Sequence, residues 1–143
     1  MNRIYLDNAA TTSLDPEVLE AMMPYLTEKF GNPSSIYSYG RESRLAVETA
    51  RKTVAKLLKA HPAEIFFTSG GTESSNTAIT ASVHDLHCRH IISSRIEHHA
   101  TLHTIESLYH RGEAALSYVN LLPDGHIDME DLERLLVESP DKC

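Results

Sequence analysis

Two short stretches carry residue types that could do chemistry together. The first, Phe66-Phe67-Thr68-Ser69-Gly70-Gly71-Thr72-Glu73-Ser74-Ser75-Asn76, runs from apolar residues through two glycines into polar residues suited to opening a helix. Gly70 and Gly71 let the backbone turn with no Cβ in the way, and a helix starting there presents unpaired amides and the positive end of its dipole. Such a layout can cradle a phosphate. It matches neither common nucleotide motif: no Lys lies between Lys59 and Lys142 to complete a P-loop, and no Gly-x-Gly-x-x-Gly occurs. On local residues alone, a plain turn is the commoner use of such a stretch.

The second stretch is Glu97-His98-His99-Ala100. Nine histidines occur in all, six of them in the groups His84, His87, His90 and His98, His99, His103. The spacing of His99 and His103 puts two imidazoles on one helix face, with His84, His87 and Cys88 as conceivable further metal ligands. A solvated helix face is the commoner use of such a pair, and no Asp or Glu completes a metal pattern, so we expect no metal site. A histidine beside a phosphate cradle could instead stack on a planar ring and move protons near neutral pH. Taken by itself, His98 reads more readily as a plain loop histidine.

These stretches depend on the elements that carry them. Asp15-Pro16 supplies an N-cap and a first-turn proline for a helix with Val18, Leu19, Met22, Met23 and Leu26 on one face, and Pro24 is expected to kink it. Gly31-Asn32-Pro33-Ser34-Ser35 ends that helix, and an irregular loop is expected as far as Gly40. Ala46, Ala50, Val54, Leu57 and Leu58 then mark a helix stripe ending before Pro62. From there the spacing predicts strand 64–68, helix 72–84, strand 90–94, helix 98–111, strand 115–121 and helix 128–138, the last with Met129, Leu132, Leu135 and Leu136 inward. Such alternation implies an α/β fold with a largely parallel sheet. Ligands in such sheets bind beyond the carboxyl ends of the strands, where Ser69 to Thr72 and Ile96 to His99 would both fall.

Whole-chain properties narrow the class of partner. At 143 residues the chain can bury a real core, and its net charge of −7 argues against nucleic acid or an anionic membrane. The N-terminus has no signal-peptide pattern and no apolar run approaches a membrane span, so a cytoplasmic location is expected. Cys88 and Cys143 agree with a reducing compartment and form neither a metal-type pair nor a disulfide framework.

Over essentially its whole length the sequence resembles the cysteine desulfurases of the class V aminotransferase group, which use pyridoxal 5'-phosphate. The matching pieces are Tyr5-Leu6-Asp7-Asn8-Ala9-Ala10-Thr11-Thr12, Gly31-Asn32-Pro33-Ser34-Ser35, Phe67 to Asn76, and Glu97-His98-His99-Ala100, in family order and at family-like spacing. The resemblance implies that Gly71 and Thr72 bind the cofactor phosphate, and that His98 stacks on the pyridine ring and takes part in proton transfer. It implies part of the large domain of the type I pyridoxal-phosphate-dependent transferase fold for residues 15–143, a mainly parallel sheet with flanking helices. Residues 1–14 would associate with the smaller domain.

The implied activity is conversion of L-cysteine to L-alanine with sulfur passing to an enzyme cysteine as a persulfide, for iron-sulfur cluster assembly or another sulfur-transfer pathway. A homodimer and a sulfur-acceptor or scaffold protein are the implied partners. Selenocysteine lyase, another class V aminotransferase, and a non-catalytic fragment binding at most phosphate are the alternatives. In the family, the lysine that holds the cofactor covalently, the aspartate facing the pyridine nitrogen, the arginine for the substrate carboxylate and the sulfur-accepting cysteine all fall beyond position 143. These residues alone are therefore expected to be inactive and to retain the cofactor poorly. One departure is Tyr37, where many relatives carry His.

Overall fold

In the computed structural model, residues 3–138 are described. The chain divides into two compact units, residues 1–66 and 67–143.

The first unit is helical. Helix α1 (Pro16–Thr27) opens as its sequence predicts, with the Asp15 carboxylate accepting the Glu17 amide at 2.8 Å, and it continues through Pro24. Helix α2 (Ser38–Leu58) begins two residues before Gly40, inside the segment expected to be loop. Its first turn is pinned from outside, because Arg41 Nη1 donates to the Ile36 carbonyl at 2.6 Å and Arg44 Nε to that of Pro33 at 2.8 Å. Lys59 closes α2 in the left-handed conformation (φ 56°).

The apolar stripe of α2 is only partly covered: Ala46 and Val54 are half-buried, while Ala50, Leu57 and Leu58 are exposed. The face of α1 formed by Val18, Leu19, Met22, Met23 and Leu26 is exposed throughout. The strand expected at 64–68 does not form. Pro62–Glu64 make a single 3-10 turn, capped by His61, and Ile65 after it is extended, with no strand assigned from there to Thr68. A β-rich run becomes a strand only when a neighbour takes its hydrogen bonds.

The second unit is a βαβ arrangement with an extra helix on each side in sequence. Its elements are α3 (Gly71–His84), β1 (His90–Ser93), α4 (His99–His110), β2 (Ala115–Tyr118) and α5 (Met129–Glu138). β1 and β2 pair in parallel, His90 opposite Ala115 and Ser93 opposite Tyr118, with α4 as the crossover. The α/β reading of the sequence is thus correct for this part of the chain. Val83 of α3, Leu108 of α4 and Ala114 form the buried cluster, with Ile79 and Ile91 packed against it. Ile105, Val119 and Leu135 are buried as well.

Two expectations for this unit need correction. Of the four residues expected to face inward in α5, Leu135 is buried and Leu132 half-buried, while Met129 and Leu136 are exposed. Asp131 takes the inward position instead, its carboxylate accepting the Asn120 amide at 2.8 Å and Arg134 Nη2 at 2.5 Å. These donors hold the Asp131 carboxyl below its usual range, the Asn120 amide contributing most. Cys88, expected as a reduced thiol, is buried and disulfide-bonded. Cys143 lies outside the described residues.

Candidate functional site

The glycine stretch folds into an open helix end. Gly70 is extended (φ 160°, ψ −179°) and precedes α3 as its N-cap residue, with no side chain closing the cap. The first backbone bond of the helix runs from the Ser74 amide to the Gly70 carbonyl at 3.1 Å, so the amides of Gly71, Thr72 and Glu73 have no backbone acceptor among the described residues. A Cβ built on Gly70 or Gly71 would meet nothing within 4 Å. The donors and the free space that a phosphate group requires are therefore both here. The residues fit such a group.

The preceding turn is held from within. Thr68 Oγ1 lies 2.6 Å from Ser74 Oγ and donates to the Gly70 carbonyl at 3.2 Å. Glu73 reaches back across the turn, where one carboxylate oxygen accepts both the amide and the hydroxyl of Ser69 at 2.6 Å. Those two donors, the hydroxyl foremost, lower the Glu73 carboxyl below its ordinary value. Because Glu73 is satisfied by Ser69, it leaves the amides of Gly71 and Thr72 open.

His98 stands at the N-terminus of α4. Beyond the carboxyl end of β1, buried Ser94 turns the chain, its Oγ accepting the Ile96 amide at 3.3 Å and its carbonyl the Glu97 amide at 3.3 Å. His98 is then the N-cap, Nδ1 accepting the Ala100 amide at 3.2 Å. A neutral ring that accepts at Nδ1 carries its hydrogen on Nε2, so the outward nitrogen is a donor. The His99 ring lies beside it, centroids 3.9 Å apart.

Gly71, Thr72 and His98 thus occupy the first turns of two helices packed in one unit. The i, i+4 pair His99 and His103 has ring centroids 5.9 Å apart, and no group of three or more metal-binding side chains occurs among the described residues. The upstream histidines are used elsewhere: His84 Nε2 pairs with Glu113 at 2.7 Å and His90 Nε2 with Ser117 at 2.8 Å.

Asn76 is the residue whose part the sequence reading did not see. It joins α3 to α4 through Thr104, 2.6 Å away. The available signal was an asparagine inside a predicted helix, where it is a weak former and calls for a partner.

A family model described as Aminotransferase class-V matches residues 4–141, and the chain belongs to that family. More particularly, it is 49% identical over 135 residues to the cysteine desulfurase IscS of Dictyoglomus turgidum, covering 93% of this chain and 34% of that protein. It is 48% identical over 137 residues to the mitosomal cysteine desulfurase of Trachipleistophora hominis, covering 92% and 31%. Among solved structures, a NifS-like protein superposes with a TM-score of 0.88 at 41% identity, over 99% of this chain and 38% of that one. The structure described as SspA in complex with cysteine superposes with a TM-score of 0.82 at 32% identity, over 96% and 40%. The chain spans about a third of the length of the curated relatives it matches.

Proposed function

We propose that the chain is the N-terminal part of a pyridoxal-phosphate-dependent cysteine desulfurase, contributing the phosphate end of the cofactor site and the ring-stacking histidine. The observation that carries the reading is the pairing of an open helix end at Gly71 and Thr72 with a capped imidazole at His98. In this reading the cofactor, when bound, supplies the electron sink for the reaction. The amides of Gly71 and Thr72 and the Thr72 hydroxyl bind the phosphate, and the dipole of α3 favours its negative charge. His98 offers a ring face to the pyridine and an Nε2–H for proton transfer, its orientation set by the bond from Ala100 to Nδ1.

Net chemistry follows the named relatives. The carbon–sulfur bond of L-cysteine breaks, sulfur passes to an enzyme cysteine thiolate as a persulfide, and alanine leaves. The solved neighbour described with bound cysteine supports that substrate class. A homodimer, a sulfur-acceptor or scaffold partner, a role in iron-sulfur cluster assembly and a cytoplasmic location belong to the same proposal, as do residues 1–14 as the segment that joins the smaller domain. A covalent anchor for the cofactor and an acceptor cysteine are proposed to lie beyond residue 143.

The test is made in the longer polypeptide this reading implies. His98→Ala should alter the cofactor's visible spectrum and lower alanine production about 10²- to 10⁴-fold, the range of a lost acid–base group. An unaltered rate and spectrum would falsify the role of His98. Thr72→Ala should weaken cofactor binding about ten- to a hundredfold, since a bond to a charged group is worth roughly 1.5 to 3 kcal/mol. Equal retention on dialysis would count against the phosphate assignment.

A further inference from the structure

Asn76 lies in the second turn of α3, half-buried against α4. Assigned with its amide nitrogen facing α4, the orientation that satisfies both ends of the amide, it shares its two N–H hydrogens among Thr104 Oγ1 at 2.6 Å, the Ala100 carbonyl at 3.0 Å and, most distantly, the Thr72 carbonyl at 3.3 Å. The Thr104 hydroxyl passes its own hydrogen to the Ala100 carbonyl at 3.1 Å. One side chain therefore ties the first turn of α3 to the first turn of α4. Those are the turns that carry the open amides of Gly71 and Thr72 and the His98 cap, whose Nδ1 is bonded to the amide of the same Ala100.

We infer that Asn76 is a positioning residue that fixes the open end of α3 relative to the His98 ring, and so selects a ligand with an anionic group and a planar ring at a set separation. The inference rests on the cofactor reading above. An asparagine inside a helix is a weak helix former relative to alanine. Here its side chain is spent on a contact between helices. Deeper in the unit, Ile79, Val83 and Leu108 hold α3 and α4 together without Asn76. Removing the side chain should leave the fold standing and release only the helix ends. A ligand touching one end would hardly notice, whereas a ligand spanning both ends would lose alignment.

The experiment compares two probes on the longer polypeptide: inorganic phosphate, which needs only the α3 end, and pyridoxal 5'-phosphate, which needs both. Asn76→Ala should leave phosphate affinity within about twofold and weaken pyridoxal 5'-phosphate about tenfold. Thr104→Val, which keeps the shape but removes the hydroxyl, should show the same selective loss to a smaller degree and stands in if Asn76→Ala does not fold. Affinities for both probes that fall together, or that both stay unchanged, overturn the positioning role. Thr72→Ala separates this from the underlying reading, because it should weaken both probes. If Thr72→Ala leaves both intact, the phosphate site itself is wrong, whatever the Asn76 variants do.

Discussion

Two glycine-bearing loops in this chain use the same residue for opposite reasons. Gly31 and Gly40 stand where backbone meets backbone. A Cβ on Gly31 would overlap the Tyr39 carbonyl, and one on Gly40 would overlap the Ser35 carbonyl and come within 2.6 Å of that of Asn32. The intervening loop is knitted to the helix that follows, with Ser43 Oγ donating to the Lys29 carbonyl at 3.1 Å and Arg44 to that of Pro33 at 2.8 Å. Around Gly70 and Gly71 there is open space instead, and the ties of the turn come from its own Thr68, Ser69, Glu73 and Ser74. A glycine kept for close packing answers to the protein's own atoms. One with open space around it leaves room for a ligand.

That contrast can be broken by substitution. Gly40→Ala should cost about 1 to 3 kcal/mol, the range for forcing extra volume into a filled site, and should show as a lower denaturant midpoint. A midpoint equal to that of the parent chain would mean the loop at 31–35 yields freely. Gly71→Ala should do the reverse. It should change stability by less than about 1 kcal/mol, since alanine is the better helix former. Its effect belongs on ligand binding, with pyridoxal 5'-phosphate weakened about tenfold in the longer polypeptide, and full affinity would show that the space over Gly71 is not used.

The smallest effect concerns pH. The Glu73 carboxyl is lowered in the folded chain by the hydroxyl and amide of Ser69. Its contribution is therefore fully present above the ordinary carboxylate pKa of about 4.3 and is lost as pH falls through the lower folded value. Melting temperatures measured from pH 6 down to 3 should fall slightly less steeply for Glu73→Gln than for the parent. Parallel curves would show that the turn at Ser69 does not depend on the charge.

Much of the fold was legible because it rests on local chemistry. Asp15-Pro16 and Gly70-Gly71 mark helix starts by capping and backbone freedom, and α3, α4 and α5 fall within a residue or two of their expected bounds. The misreadings occur where a partner decides. Residues 64–68 have strand composition but are not assigned as a strand, and the start of α2 is set by arginines bonding carbonyls several residues upstream. On α5, periodicity pointed Met129 and Leu136 inward. The inward place went to Asp131, because the Asn120 amide and Arg134 satisfy its carboxylate there.

The candidate site divides in the same way. By itself, the sequence determined which residues are present: the glycines that open α3, Thr72 beside them, a histidine after β1, and motifs in register with a family. Only the tertiary structure decided that the amides of Gly71 and Thr72 stay free while Ser69 occupies Glu73. It also decided that His98 points Nδ1 at its own helix, and that Asn76 ties the two helix ends together. The physical reason is that residue type sets what a group can donate or accept, whereas which acceptor it meets depends on chain segments as far apart as Asn76 and Thr104.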